Sequence, residues 1–377
     1  MPNPLACLQQ ALVSCRGDHL VASFFDAPEW SGWFEQPWYG IAVGKASVAM
    51  MEGALALGHA TLTSGLLIRK QGSDALLADS RLQQMSAAHP IPDESSLLAG
   101  QELIDFVQRL PEQARVLFML SGGTSSLVEV LPEDWTLARW QAQTQTWLAS
   151  GWDIQRINRA RQSLSLIKGG KLLKAFAVNA DVLQLIMTDV PDQDVKLVGS
   201  GLLFGDISDS RVNSYSLADN RRLLNLLAEC FPIAQVMADF VCTEVNELAV
   251  WIASQASEGQ TKVWGGEPVV VLPEQAPAGG RMQHLALSVA WQLRSVSFSW
   301  SFIALASDGD DGTSCEAGAM VNQQTLAMAE QQGWSMESAL AEFNAHALLA
   351  DVGALLQTGY TGTNVNDVMI LSCGDTA

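Results

Sequence analysis

Five turns beside short apolar runs carry residues able to do chemistry. Gly44-Lys45-Ala46 follows Trp38–Val43, Ser121-Gly122-Gly123-Thr124-Ser125-Ser126 follows Arg115–Leu120, and Thr188-Asp189-Val190-Pro191 follows residues 182–187. Gly265-Gly266-Glu267 stands ahead of residues 268–272, and Ser307-Asp308-Gly309-Asp310-Asp311-Gly312 follows residues 302–306. A Ser-Gly-Gly-Thr-Ser turn between a strand and a helix offers several backbone N–H groups, two of them with no Cβ in the way, and such a nest binds anions. A tight turn with no ligand accounts for it equally well. Lys45 starts a helix, where the positive end of the dipole disfavours a cation, so function explains it better than chance placement. Asp308, Asp310 and Asp311 carry the hard oxygens that Mg²⁺ takes. A solvated acidic turn is as good an account of any single one.

These turns need elements to hold them. Apolar runs predict strands at Trp38–Val43, 66–68, Arg115–Leu120, 182–187, 268–272, 302–306 and 368–372. Amphipathic patterning predicts helices over 5–21, 47–57, 93–109, 135–148, 154–167, 282–293, 317–331 and 345–356, with a mostly helical stretch over 217–230 and 233–255. Alternating strands and helices imply α/β layers with right-handed crossovers, and ligands in such sheets bind beyond the carboxyl ends of the strands. The polar segment 256–260 reads as a hinge, dividing the chain into an N-terminal domain, 1–255, and a C-terminal one, 256–377.

Composition narrows the function. The chain has 377 residues, 48% hydrophobic, enough for two domains with substantial cores. Its 21 Lys and Arg against 40 Asp and Glu leave a net charge of −19, which argues against nucleic acid and against an anionic membrane surface. The N-terminus lacks a signal-peptide pattern and no apolar run is long enough to span a bilayer. The six cysteines are scattered without metal-binding spacing, so free thiols in a reducing cytoplasm are expected. Three motifs fail letter by letter. Tyr39 and Ala46 stand where a Walker A loop ending at Gly44-Lys45 needs Gly and Ser/Thr. The glycines at 199 and 201 lack the third glycine of a dinucleotide fingerprint, and the turn around Ser125 lacks the last glycine of a nucleophile elbow.

Taken together, VGKA at 43–46, HPIPDESS at 89–96, SGGTSSL at 121–127, SLIKGGKL at 165–172, TDVP at 188–191, GGE at 265–267, GGR at 279–281, SDGDDG at 307–312 and TGTNVND at 361–367 resemble the type 2 glycerate kinases. This family carries a C-terminal MOFRL domain, and older members bore the name hydroxypyruvate reductase. The resemblance runs along nearly the whole chain. It implies two α/β domains with mostly parallel sheets, a Rossmann-like N-terminal one and a MOFRL-type C-terminal one, with the active site in the cleft between them. It also implies ATP-dependent phosphorylation of D-glycerate at the 2-hydroxyl, with ATP and Mg²⁺ as cofactors and a small hydroxy acid as substrate. Lys45, Arg281 and Asp189 would be catalytic. Gly44, Ser121, Gly122, Gly123, Thr124 and Ser125 would wrap phosphate. Glu267, Asp308, Asp311, Asn364 and Asn366 would line the cleft from the second domain, and Asp189 and Asp308 would hold metal.

The chain departs from the family pattern at particular positions. Gln162 and Ser163 replace a basic residue and a His, Met282 and His284 replace an Asn and a Glu, and Cys315 replaces a carboxylate. The turn after Asp189 continues Asp192-Gln193, Leu202 and Leu203 follow Gly201, and Tyr360 stands where Pro is usual. Three readings follow: a glycerate or hydroxy-acid kinase, a divergent homologue that binds nucleotide or a sugar acid without catalysis, and a hydroxypyruvate reductase. The missing dinucleotide fingerprint counts against the last. For Cys315 the choice lies between a small buried thiol and a cleft thiol activated by Arg281. The oligomeric state stays open, a homo-oligomer included.

Overall fold

The computed structural model describes residues 3–72, 76–149, 154–190, 195–205, 209–273 and 276–374. Pro191, Asp192 and Gln193, singled out above, lie outside them. The chain divides into two compact units. The first comprises residues 16–219 and 362–364, and the second 1–15, 220–361 and 365–377.

Helix α1 (Pro4–Ser14) belongs to the second unit. The first unit runs through α2 (Gly17–Phe25), β1 (Trp38–Val43), α3 (Ser47–Gly58), β2 (Leu62–Lys70), β3 (Leu82–Ala87), α4 (Glu94–Gln108), β4 (Arg115–Leu120), α5 (Thr124–Leu127), α6 (Leu137–Ala149), α7 (Ile154–Leu164), β5 (Asp181–Met187) and β6 (Val212–Ala218). Its sheet has the order β3-β2-β1-β4-β5-β6, all parallel. Strands β1, β4 and β5 are almost wholly buried, as uninterrupted apolar runs in a doubly covered parallel sheet must be. Beyond them, β3 and β6 are partly exposed edges with polar sequences, LQQMSA and VNSYSLA, and apolar patterning misses them for that reason. The order reverses between β1 and β4, whose registers meet at Val43↔Leu120. In open α/β sheets this reversal opens the crevice in which ligands bind.

The second unit continues with α8 (Asn220–Cys230), β7 (Ala234–Val241), α9 (Val245–Ser254), β8 (Thr261–Gly266), α10 (Arg281–Leu293), β9 (Trp300–Ala306), β10 (Gly318–Asn322), α11 (Gln323–Gln331), α12 (Met336–Ala341), α13 (Ala345–Asp351), β11 (Leu355–Leu356) and β12 (Asp367–Cys373). Its sheet, β11-β10-β9-β12-β8-β7, is mixed rather than mostly parallel. Only β7 and β8 run parallel, and β12 is antiparallel to both β8 and β9. Helix α10 is the centre of this unit. Ten of its residues, from Met282 to Leu293, are buried among β9, β10, α9 and α13.

Several expected elements differ. The 5–21 helix is broken at Cys15-Arg16, where Arg16 is extended, and its halves join different units. Part of the helical stretch 233–255 is β7, a half-exposed edge. No strand spans 268–272: Val269, Val271 and Leu272 are exposed, and only an isolated bridge links Val269 to Glu244. The strand is β8, so Gly265-Gly266-Glu267 ends it instead of leading into the next. Residues 317–331 split into β10 and α11 at Asn322, whose side chain caps Thr325. The 345–356 helix stops at Asp351 and turns through Gly353 (φ 67°) into β11. The expected boundary at 255/256 falls inside the second unit, where β7 pairs with β8; the compact units part at Asp219-Asn220. Trp33 and Trp38 are buried, packed with Phe25 and Phe34, and so belong to the core. No helix among the described residues is long and apolar enough to cross a membrane.

Phe118 is fully buried in β4, in the core beneath α4. Phe118→Ala should lower stability by about 3–5 kcal/mol, read from urea unfolding followed by circular dichroism. A loss below about 1 kcal/mol would show that this core collapses around the cavity.

Candidate active site

In the first unit, the turns after β1 and β4 are fastened to each other. Lys45 N donates to the Gly122 carbonyl (2.9 Å), Ala46 N to Ser121 Oγ (3.0 Å), and Ser121 N to the Val43 carbonyl (3.1 Å). Thr124 Oγ1 donates to the carbonyls of Val43 (2.9 Å) and Ser121 (2.7 Å). Gly44 makes the approach feasible: at φ 130° a Cβ there would lie 2.2 Å from Ser121 Oγ. Gly123 takes a left-handed φ of 83° to start α5, and a Cβ on it would meet Lys45 Cγ at 3.0 Å and His89 Cδ2 at 3.2 Å. Lys45 and the loop from Ser121 to Ser125 therefore share one end of the sheet, beyond the carboxyl ends of the two strands that flank the reversal. His89, given no role by sequence, is beside them.

Asp189, after β5, reaches the same loop. Asn364 Nδ2 donates to Asp189 Oδ2 (3.3 Å), and a Cβ on Gly122 would fall 1.7 Å from that oxygen and 2.1 Å from Asn364 Nδ2. Asn364 thus belongs to the first unit, not to the second as expected, because the segment 361–367 contributes 362–364 to one unit and 365–367 to the other.

In the second unit, Arg281 opens α10. Its guanidinium forms a fork with Asp367, Nε to Oδ2 at 2.6 Å and Nη2 to Oδ1 at 3.2 Å, and Glu267 Oε1 is 3.5 Å from Nη2. Asn366, at φ 62°, donates to Glu267 Oε2 (3.3 Å). Burial works against the Arg281 charge, but Asp367 and Glu267 outweigh it and hold the guanidinium above its ordinary value. Burial pushes Asp367 up to about 6, opposed by Arg281. Asp311, buried, accepts from the backbone N–H groups of Met282 (3.1 Å) and Gln283 (2.8 Å), so it caps α10. Burial raises its pKa to about 7 against those two amides. Asp308 Oδ1 accepts from Asp310 N (3.2 Å) and adds to the negative field at Asp367. A cavity of about 110 Å³ beside Arg281 is lined by His284, Thr313, Phe343 and His346.

Among the described residues, no three His, Cys, Asp or Glu side chains are close enough to hold a metal by themselves. The donor set near Gly122, one carboxylate and one amide, fits only an ion that brings most of its ligands with it, as Mg²⁺ does on a nucleotide. Asp308 and Asp189 stand in different units. Cys315 is exposed, so it is not a small buried thiol. Sequence reasoning passed over Asp367, although it closes the TGTNVND motif. A single sequence does not show that a carboxylate is buried, and burial is what makes this one a partner for Arg281.

Gly122→Ala must displace Asp189 or Asn364, so it should lower the melting temperature and remove catalytic activity together; an alanine variant with wild-type melting and activity would contradict the close packing. Asp311 binds its proton more tightly folded than unfolded, so its contribution to stability falls as pH rises from 3.8 to about 7. Measured against Asp311→Asn, the wild-type melting temperature should be relatively highest at the acid end and lose ground up to about pH 7. A difference that stays flat across that window would show that the helix-capping amides and Arg281 keep the carboxylate ionised.

Comparison with known proteins agrees with the motifs. The profile described as a domain of unknown function (DUF4147) matches residues 4–227, and that of the MOFRL family matches residues 260–367. The D-glycerate 2-kinase of Thermotoga maritima is 29% identical over 88% of this chain and 89% of its own. The glycerate kinase of Homo sapiens is 26% identical over 88% and 84%. The crystal structure of a glycerate kinase from Thermotoga maritima superposes with a TM-score of 0.80 at 26% identity, covering 98% of each chain. The chain belongs to the type 2 glycerate kinase family, with a DUF4147 domain followed by a MOFRL domain.

Proposed function

We propose that this protein transfers the γ-phosphoryl group of ATP to the 2-hydroxyl of D-glycerate, or of a similar small hydroxy acid, giving 2-phosphoglycerate in the first case. The observation that carries this reading is the junction of the Lys45 turn and the 121–125 loop at the reversal of strand order in a parallel sheet. Phosphoryl transfer asks little covalent chemistry of a protein and much positioning and charge neutralisation. The backbone N–H groups of the loop would bind phosphate oxygens, and the Lys45 ammonium would stabilise the charge that develops on them. Arg281, pre-oriented by its fork with Asp367, would supply a second fixed cation. Asp189, steadied by Asn364, would orient the substrate hydroxyl or hold the Mg²⁺ that arrives with ATP and neutralises phosphate charge. Glu267, Asn366, Asp308 and Asp311 would surround and hold Arg281.

The departures from the family pattern sit mostly where the fold absorbs them. Met282 is buried core, and its backbone N–H still reaches Asp311. His284 is buried, stacked on Phe343 at 5.0 Å and bonded to Asn246 (3.2 Å). Gln162 donates to the Ser200 carbonyl (3.1 Å), and Ser163 to the Ala160 carbonyl (2.8 Å). These contacts favour a working kinase with an altered substrate preference over a homologue without catalysis.

The test is ADP formation from Mg-ATP and D-glycerate, extended to related hydroxy acids. Lys45→Ala should lower kcat/KM by about 100-fold or more, the scale of losing one fixed charge-stabilising group, while the protein stays folded. Folded wild-type protein that makes no ADP with any of these acids would overturn the reading in favour of binding without catalysis.

A further inference from the structure

Lys168 has no side-chain surface open to solvent, and neither has Glu129. Its Nζ donates to Glu129 Oε2 (2.5 Å) and to the backbone carbonyl of Ser125 (2.7 Å), and lies 5.7 Å from the Trp140 ring centre. The other Glu129 oxygen accepts from Val130 N (3.0 Å). Ser125 is held a second time, by its hydroxyl, 2.8 Å from Ser200 Oγ, which in turn reaches Asn158 Oδ1 (3.1 Å). The residues after Lys168 grip the Ser200 turn that anchors Ser125: Gly169 N donates to the Ser200 carbonyl (3.0 Å) and Gly170 N to that of Gly201 (2.7 Å). Ser200 adopts a φ of 56°, an uncommon conformation for a residue with a Cβ, kept by these bonds.

A buried ion pair is a poor device for stability alone, because desolvating both charges offsets most of their attraction, and apolar residues of like size often serve as well. This one has a further connection that a merely structural pair would not need. One partner of the pair holds the last residue of the 121–125 loop by its carbonyl. We infer that Lys168 is a positioning residue, which fixes Ser125 from below so that the loop amides keep their aim on the transferred phosphate; the inference rests on the kinase reading above. Burial lowers the Lys168 pKa, Glu129 opposes that and holds the side chain in place, and the Ser200 hydroxyl provides the second anchor.

Stability and positioning can be separated by Lys168→Met combined with Glu129→Leu, which removes both charges and the carbonyl contact while keeping the site filled. The double variant should stay folded, with some loss of melting temperature because it also takes Glu129 from Val130 N and from the nearby Arg161. Amide hydrogen exchange at residues 121–127 should quicken by tenfold or more while β5 is unchanged, and KM for ATP should rise by a similar factor with a smaller change in kcat. If the apolar pair does not fold, Lys168→Gln with Glu129→Gln takes its place, since the shorter amide does not reach the Ser125 carbonyl. Unchanged exchange at 121–127 in a folded double variant, or KM for ATP within twofold of wild type, would overturn the inference. Wild-type protein without kinase activity would instead remove the kinase reading, and the exchange measurement would still decide whether Lys168 orders the loop.

Discussion

Ser121 is the point on which the proposed phosphate site of the first unit depends. It follows β4, and its hydroxyl, carbonyl and amide are engaged with Ala46, Thr124 and the end of β1 at Val43. Two loops that leave different strands become one rigid surface, and Lys45 is carried on it. The constraint is steric as well as polar: Gly44 must lack a Cβ for Ser121 to come so close, and Gly122 must lack one for Asp189 to lie over the loop. A cradle for phosphate gains from such rigidity, because donors already in place need no reorganisation when charge moves.

The second unit solves a different problem, keeping an arginine oriented in a partly buried place. Asp367 takes two of its N–H donors in a fork, and Glu267 comes within 3.5 Å of the same Nη2. Asp311 is spent on the end of α10, which satisfies amides that the first turn of a helix leaves without partners. Three carboxylates around one guanidinium leave the Arg281 charge secure, while burial makes two of them, Asp311 and Asp367, weaker acids than usual.

Where the chain leaves the family pattern, most of the substituted residues have become part of the packing. Met282 and His284 face the second unit's interior and Gln162 braces the Ser200 turn. Their change of side-chain type alters the surroundings and leaves Lys45, Arg281 and the Ser-Gly-Gly loop in the sequence. On the kinase reading proposed above, specificity is the property most exposed to these changes, because a hydrogen bond to a substrate hydroxyl or carboxylate contributes directly to discrimination.

The linear sequence by itself determined the α/β class, the buried strands β1, β4 and β5, the turns that follow β1, β4, β5 and β9, and the family, since long apolar runs and glycine-rich turns leave a local signature. It also singled out Lys45, Arg281, Asp189 and the loop from Ser121 to Ser125 as the residues to examine. The tertiary structure alone decided what depends on pairing across distance. Edge strands β3, β6 and β7 exist because a neighbouring strand offers hydrogen bonds, not because their own residues are apolar. The true position of β8, the antiparallel neighbours of β12 and the division at Asp219-Asn220 have the same origin. Asp367 as the partner of Arg281, Asn364 beside Asp189, and Lys168 under Ser125 are separated by 86, 175 and 43 residues in the chain. No local pattern encodes such contacts, because the burial that gives each of these polar groups its partner arises only when the chain has folded.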